Sequence, residues 1–319
     1  MSLKSWMKGE PVAVETPDQQ RDAAPAEGTT IDAGAPSRTL WGDALARLRR
    51  NRLAIVAVIW IAFIVLVALT ADLWVPQTLG GPTAQLYDAR LPMSAAHPFG
   101  TDQVGRDVLS RVVYGARISL AVGLLATAIS TLIGLVMGAV AAYYGGFWDT
   151  VIMRLADVFL AFPYILFVIV MLAVLGSGIQ NVFIAIGVLG WPSIARVFRS
   201  AILSVKENDY VDAARSMGAS DARIIMRHIF PNSVASIVVY STMNIGGAIL
   251  TEAALSFLGM GVVPPDPSWG ILIEDGQKFI ATQPWLMIMP GLAILLTVLA
   301  FTLLGDGLRD ALDVKMKDA

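Results

Sequence analysis

Chemistry in this chain must come from few residues. Only 15% of the 319 positions are charged, the formal net charge is −2, and there are two histidines and no cysteine. That inventory excludes disulfides, thiolate zinc sites and cysteine nucleophiles. No GxxxxGK[ST] loop and no glycine-rich dinucleotide fingerprint occurs, so the chain has no usual route to binding and hydrolysing ATP itself. The balanced charge gives no case for nucleic acid. What remains is one long polar passage, Lys206 to Pro231, and a handful of polar residues inside apolar runs: Arg154, Asp157, Asn244 and Glu252. Residues of these types in these places suit docking and the lining of a path rather than bond making.

Locally, the polar passage predicts two short helices and a turn. Asn208 or Asp209 caps the first, Tyr210, Val211, Ala214 and Met217 form an apolar stripe at helical spacing, and Gly218 supplies the C-terminal turn. Ser220 caps the second, Asp221 stands in its first turn, and Pro231 stops it. Arg215, Arg223 and Arg227 lie away from the stripes. A charge every few residues, each costing about 2.5–3.5 kcal/mol at a bilayer centre, keeps the passage out of lipid. It is either a solvated hairpin or a docking surface, and an apolar stripe on a polar loop favours docking.

The elements that position it are membrane spans. Hydrophobic residues make up 56% of the chain and the mean hydropathy is +0.66, outside the balance of a soluble domain. Residues 1–39, rich in Ala, Pro, Asp, Glu and Thr, predict a disordered cytoplasmic tail with no signal peptide, passive or regulatory. Residues 40–52 form an amphipathic juxtamembrane segment ending in Arg47, Arg49, Arg50 and Arg52, and 53–71 a first span whose arginines place the N-terminus inside. Residues 72–115 follow outside, irregular at first. Thr101 or Asp102 then caps an interfacial helix carrying Val104, Val108 and Val112; a gating or binding-protein role is its alternative. Arg106, Arg111 and Arg117 sit on that outer side.

A five-helix core, 116–306, completes the body. Spans run from about 118 to 142 and 151 to 175, with Gly123, Gly134 and Gly138 for close packing and Pro163 as a kink. The fourth, 181–198, is broken by Gly190, Trp191 and Pro192. A polar loop at 199–231 leads to the fifth, 233–259. The external loop 260–284 contains Pro264 and Pro265, which favour extended PPII geometry. A sixth span runs from 285 to 304, bent at Pro290-Gly291, and 307–319 ends inside with Arg309, Lys315 and Lys317. The expected fold is therefore all-α, with six transmembrane helices and both termini cytoplasmic. Within it, Arg154 and Asp157 pair at i,i+3 for function or to tie neighbouring helices. Glu252 lines a path, sits at its outer gate, or is satisfied by backbone donors of a neighbouring helix. His97 and His228 fall on opposite sides and cannot share a metal; His228 reads as a contact or capping residue.

The polar passage also carries a resemblance. Asp212-Ala213-Ala214, three residues, Gly218, then Ile229-Phe230-Pro231 is similar to the Glu-Ala-Ala…Gly…Ile-x-Pro motif of ABC importer permeases, with Asp212 in place of Glu. YVDAARSMGAS…RHIFPN, HPFGTDQVGRDVLSRVVYGARISL, the PPxPSWG segment and the ending GDGLRDALDVKMK all resemble the C-type permease of the dipeptide, oligopeptide and nickel importers, over roughly residues 40–315. The resemblance implies a type I importer permease in a bacterial inner membrane, non-catalytic and without a cofactor of its own. Its partners would be a second homologous permease, an external substrate-binding protein, and two ATPase subunits that use ATP and Mg²⁺. Tyr210, Asp212, Ala213, Ala214, Gly218, Ala219, Arg223, Ile229 and Pro231 would meet an ATPase. Glu252, Asn244, Asp157, Arg154 and Trp269 would serve the path or its gate, and cargo would be peptides or a nickel chelate. The competing expectation is a solitary secondary transporter or channel, which inverted repeats would mark; none is visible here.

Overall fold

The computed structural model describes residues 40–75 and 86–312. The expectations for 1–39, for Pro76 to Pro82 and for 313–319 fall outside the described residues. The chain is helical, and among the described residues the only strand-like pairing is an isolated bridge between Thr101 and Asp107.

Helix α1 is Leu40–Leu48 and α2 is Arg52–Trp74. Asn51 caps α2, its side chain accepting from the N–H groups of Leu53 and Ala54 at 3.1 Å each. Ala54, Ala57, Ile64, Ala68 and Ala71 are buried along one stripe of α2, whereas Leu53, Val56, Ile59, Phe63, Leu66 and Leu69 are exposed. This is the membrane pattern: small residues face protein so that backbones approach, and large ones face lipid.

Helix α3 spans Val108–Tyr144 without interruption, capped by Asp107, whose side chain accepts from Ser110 N–H at 2.8 Å. This corrects the expectation of a separate interfacial helix capped by Thr101 or Asp102. Val104 precedes the helix and is exposed, while Val108 and Val112 are buried in its first turns. At about 1.5 Å per residue, α3 is about 55 Å long, well beyond the hydrocarbon thickness.

Helices α4 (Gly146–Ala161) and α5 (Tyr164–Leu175) meet at an angle of 91°. Pro163 lacks an N–H and holds Phe162 in an extended conformation, φ −90° and ψ 142°. The expected kink is thus a full break. Helix α6 (Ile179–Lys206) contains Pro192 yet runs unbroken, so the break expected at Gly190-Trp191-Pro192 does not occur. Among the described residues five helices are long and apolar enough to cross a bilayer, or six if α4 and α5 are counted as one span.

Beyond α6 come α7 (Asp209–Ser216) and α8 (Asp221–Ile224), which passes through a π-helical turn, Ile225–Ile229, into α9 (Phe230–Phe257). Pro231 does not stop the second short helix. It lies in the first turn of α9, directly after the π-helical turn, and the helix runs on through it. The chain ends in α10 (Trp269–Gln277) and α11 (Trp285–Leu312). The Pro264–Pro265 bond is cis, not the trans geometry of PPII.

The α3–α6 pair forms the spine of the core. A Cβ on Gly134 would lie 2.7 Å from Ile194 Cβ, one on Gly138 2.7 Å from the Ala195 carbonyl oxygen, and one on Gly187 2.7 Å from Ile129 Cβ. Ser130 adds a hydrogen bond to the Gly187 carbonyl at 2.8 Å. Gly134→Leu is expected to pry the pair apart, to cost about 1–3 kcal/mol or more of stability, the usual cost of overpacking, and so to lower the thermal midpoint in detergent markedly. The same change at Gly291, which has open space around it and no left-handed backbone, should perturb the body far less in the same unfolding assay.

Candidate functional site

Three places in this body hold polar residues in a defined geometry: the hairpin between α6 and α9, a cap at the other end of α9, and a cavity between them.

The hairpin is fastened to the ends of α3 and α6. Lys206 Nζ donates to the carbonyls of Ala142 and Tyr143 at 3.2 and 2.8 Å, closing the C-terminus of α3 where a cation is favoured. Tyr143 donates its hydroxyl to Asp221 at 2.5 Å. Asn208 does not cap α7; its amide turns back to donate to the carbonyls of Ser204 and Val205. Gly218 has φ +81° with open space around it, so glycine is required by the backbone and not by crowding. Val211, Ala214, Ile224 and Ile229 are buried with Phe198, Ile202 and Ile237. Tyr210 and Met217 point outward, Met217 at 82% exposed. The single stripe expected on α7 is therefore divided between two faces.

The sequence-derived contact set divides likewise. Tyr210, Asp212, Ala213, Gly218, Arg223 and Pro231 are exposed, Ala219 is half-buried, and Ala214 and Ile229 are inside the hairpin. Asp212 pairs with Arg215 at 3.2 Å on the open face.

Behind the hairpin, α4 is tied to α6 by ion pairs. Arg199 holds Asp149 through both carboxylate oxygens, at 2.5 and 2.6 Å. Asp157 meets Arg154 at 3.6 Å and also Arg196 across the helix interface. The Arg154–Asp157 pair is thus part of a tie between helices. Arg196 and Arg199 escaped the sequence reading. Their i,i+3 spacing opposite Asp149 and Asp157 was the available signal, but it needs the packing partner to be known.

At the cap, Glu252 is fully enclosed, accepting from Ser119 at 3.0 Å and Ser256 at 2.8 Å. It lines no opening in this structure, and its partners are hydroxyls, not the backbone donors considered above. Trp269 is also fully buried; its indole donates to the Val112 carbonyl at 2.9 Å and its backbone N–H to Ser119 at 3.3 Å. The PPxPSWG segment is therefore keyed into the body. Alongside, Arg106 bridges Asp102 at 2.6 Å and Asp275 at 3.4 Å, with Gln103 donating to Asp275 at 3.0 Å. Burial holds the Asp275 carboxyl above the usual carboxylate range, against the downward pull of Arg111 and Arg106. His97 is occupied by Asp107 at 2.9 Å. Among the described residues no group of three His, Asp or Glu side chains could hold a metal.

Between these ends lies a cavity of about 300 Å³. Its walls come from α3 (Thr127, Ser130), α6 (Gly190, Ser193), α9 (Tyr240, Asn244, Thr251) and the broken α4–α5 pair (Leu160, Tyr164). Asn244 is the one residue of the expected path set found there.

Residues 104–318 match the family described as binding-protein-dependent transport system inner membrane component, and residues 39–92 match the N-terminal TM domain of oligopeptide transport permease C. The chain belongs to the binding-protein-dependent transport system inner membrane component family. Within this family, the dipeptide transport system permease protein DppC of Alkalihalophilus pseudofirmus is 44% identical over 279 residues, 87% of this chain and 90% of that one. The glutathione transport system permease protein GsiD of Escherichia coli O157:H7 is 45% identical over 280 residues, 88% and 92% of the two chains. A chain of the MetNI methionine ABC transporter, solved in inward-facing conformations, shares the fold with a TM-score of 0.52 at 19% identity, over 63% of this chain and 95% of its own. The protein is a multi-pass permease subunit of an ABC importer in the bacterial inner membrane, not the solitary transporter or channel kept as the alternative.

Removing the Glu252 carboxylate strips two buried hydroxyls of their acceptor, a loss of about 1–3 kcal/mol per orphaned group. Glu252→Ala should therefore lower the thermal midpoint in detergent clearly, while Glu252→Gln, which keeps an acceptor oxygen, should lose less than half as much.

Proposed function

We propose that this chain forms half of the translocation path of an ATP-driven importer for small peptides, with its hairpin facing the cytoplasm and both termini on that side. It would pair with a second, homologous permease, receive cargo from an external binding protein, and be driven by two ATPase chains. ATP and Mg²⁺ act in those chains; this one has no catalytic residues and no cofactor. The relatives named for dipeptide and glutathione transport support peptide cargo over a nickel chelate, since both solutes contain peptide bonds.

The observation that carries the coupling role is the division of the hairpin. Its inner face, Val211, Ala214, Ile224 and Ile229, is locked onto the ends of α3 and α6, while Tyr210, Asp212, Met217 and Arg223 stand outward. A partner gripping the outward set moves α6 and α9 with it, and those two helices supply most of the cavity wall. Closure of the ATPase pair would tilt these spans and switch the access of the cavity between the two sides. The Asp149–Arg199 and Asp157–Arg196 ties would carry α4 along with α6.

The test is purification with the ATPases and binding protein, then peptide uptake in proteoliposomes. Met217→Asp and Arg223→Glu, both on the exposed face, should leave the fold and basal ATP hydrolysis intact. They should cut binding-protein-stimulated uptake by about tenfold, as expected for the loss of an interface anchor. Wild-type coupling in both variants, or uptake without any ATPase chain, overturns the proposal.

A further inference from the structure

The break between α4 and α5 leaves backbone polar groups open within a membrane-spanning pair, which is tolerated only where protein or a polar cavity receives them. The first N–H groups of α5, those of Tyr164, Ile165 and Leu166, have no intrahelical acceptor, and Pro163 provides no side-chain cap. The first intrahelical-type bond there is from Phe167 N–H to the Pro163 carbonyl, at 3.1 Å. Tyr164, the first residue of α5, stands on the cavity wall and donates its hydroxyl to the Ile186 carbonyl at 2.9 Å. The first residue of α5, where the helix dipole is positive, thus contributes to the cavity wall.

A second, independent feature lies on another wall. Thr127 is 4% exposed, lines the cavity, and its hydroxyl has no hydrogen-bond partner. A buried hydroxyl left unbonded is costly, and it is an available donor or acceptor. Ser193, Tyr240 and Asn244 on the same cavity also make no hydrogen bond with other described residues. No charged side chain lines the space.

We infer that this cavity receives the carboxylate of a solute, such as the terminal carboxylate of a peptide, at the open N-terminus of α5, with the Thr127 hydroxyl and the Asn244 amide as further donors. The inference rests on the peptide-importer function proposed above. A helix terminus carries about half a unit of positive charge. That attracts an anion without the tight pairing that a fixed arginine or lysine would impose. Such a balance suits a site that cargo must enter and then leave.

The chain contains no cysteine, so an introduced thiol is unique within it, and vesicles with the wild-type chain give the background from partner chains. In inside-out vesicles holding the assembled importer, Thr127→Cys and Ser193→Cys are to be labelled with an anionic sulfonatoethyl and a cationic trimethylammonioethyl methanethiosulfonate. Each rate is normalised to that reagent's rate with free 2-mercaptoethanol. The anionic reagent should react at least about fivefold faster on this scale, a ratio of the size helix termini produce. Millimolar glycyl-leucine should slow the labelling, and glycyl-leucinamide should not. A ratio at or below one at both positions, equal protection by acid and amide, or no reaction at either thiol throughout the ATP cycle overturns the site. ATP-dependent uptake of glycyl-leucine by the wild-type importer is measured in parallel. Uptake without anion preference sinks the carboxylate site alone, whereas anion preference without uptake sinks the peptide cargo and leaves the anion site standing.

Discussion

The close approach of α3 and α6, made by glycines on both helices, is the contact from which the rest of the body is hung. In a bilayer there is no hydrophobic drive to bring two apolar helices together, because lipid tails are as apolar as leucine. Association must come from dispersion at short range and from interhelical hydrogen bonds. Gly134, Gly138 and Gly187 admit Ile194, the Ala195 backbone and Ile129 where any side chain would collide, and Ser130 adds its bond to the Gly187 carbonyl. The hairpin is built on one end of this pair, through Tyr143, Lys206, Phe198 and Ile202. The cap is keyed to α3 at the other end through Val112, Gly115 and Ser119, and the cavity is walled by both helices.

Polar groups follow one rule throughout. Where a charge or hydroxyl enters the apolar body a partner meets it, on another helix for Glu252 with Ser119, Asp149 with Arg199, Asp157 with Arg196 and Trp60 with Thr297, or one turn back on its own helix for Thr242, Thr251 and Thr302. Among the described residues the exceptions are Thr127 on the cavity wall, Ser233, Gln283 and Trp285 elsewhere, and Arg111, whose buried guanidinium makes no hydrogen bond and has Asp102 at 3.8 Å. Buried and unspent hydrogen-bonding capacity is costly, so the Thr127 hydroxyl on the cavity wall is informative.

Local features were the most legible. Gly218 was readable as a left-handed turn because few other residues adopt that backbone, and the spans of α2 and α11 were readable from uninterrupted apolar length. The two faces of α7 were not, because a stripe at helical spacing says nothing about which apolar residue meets its own body. Pro163 and Pro192 look alike in the chain, yet one breaks a helix through 91° and the other sits inside a continuous one. A proline in an apolar run permits either outcome, and the packing that decides is not written beside it. Glu252 was legible as a buried carboxylate, whereas its partner Ser119, on α3, could be assigned only by the fold. The same holds for the cavity, whose walls are drawn from five helices.

Helix α3 outreaches the bilayer, and that surplus gives it leverage. A stiff rod of about 55 Å turned through about 5° sweeps its far tip through about 5 Å, the breadth of one helical turn. With the hairpin end as pivot, a tilt that shifts the nearby glycine seam by only about 1 Å would thus arrive at the buried tryptophan end as nearly a full step.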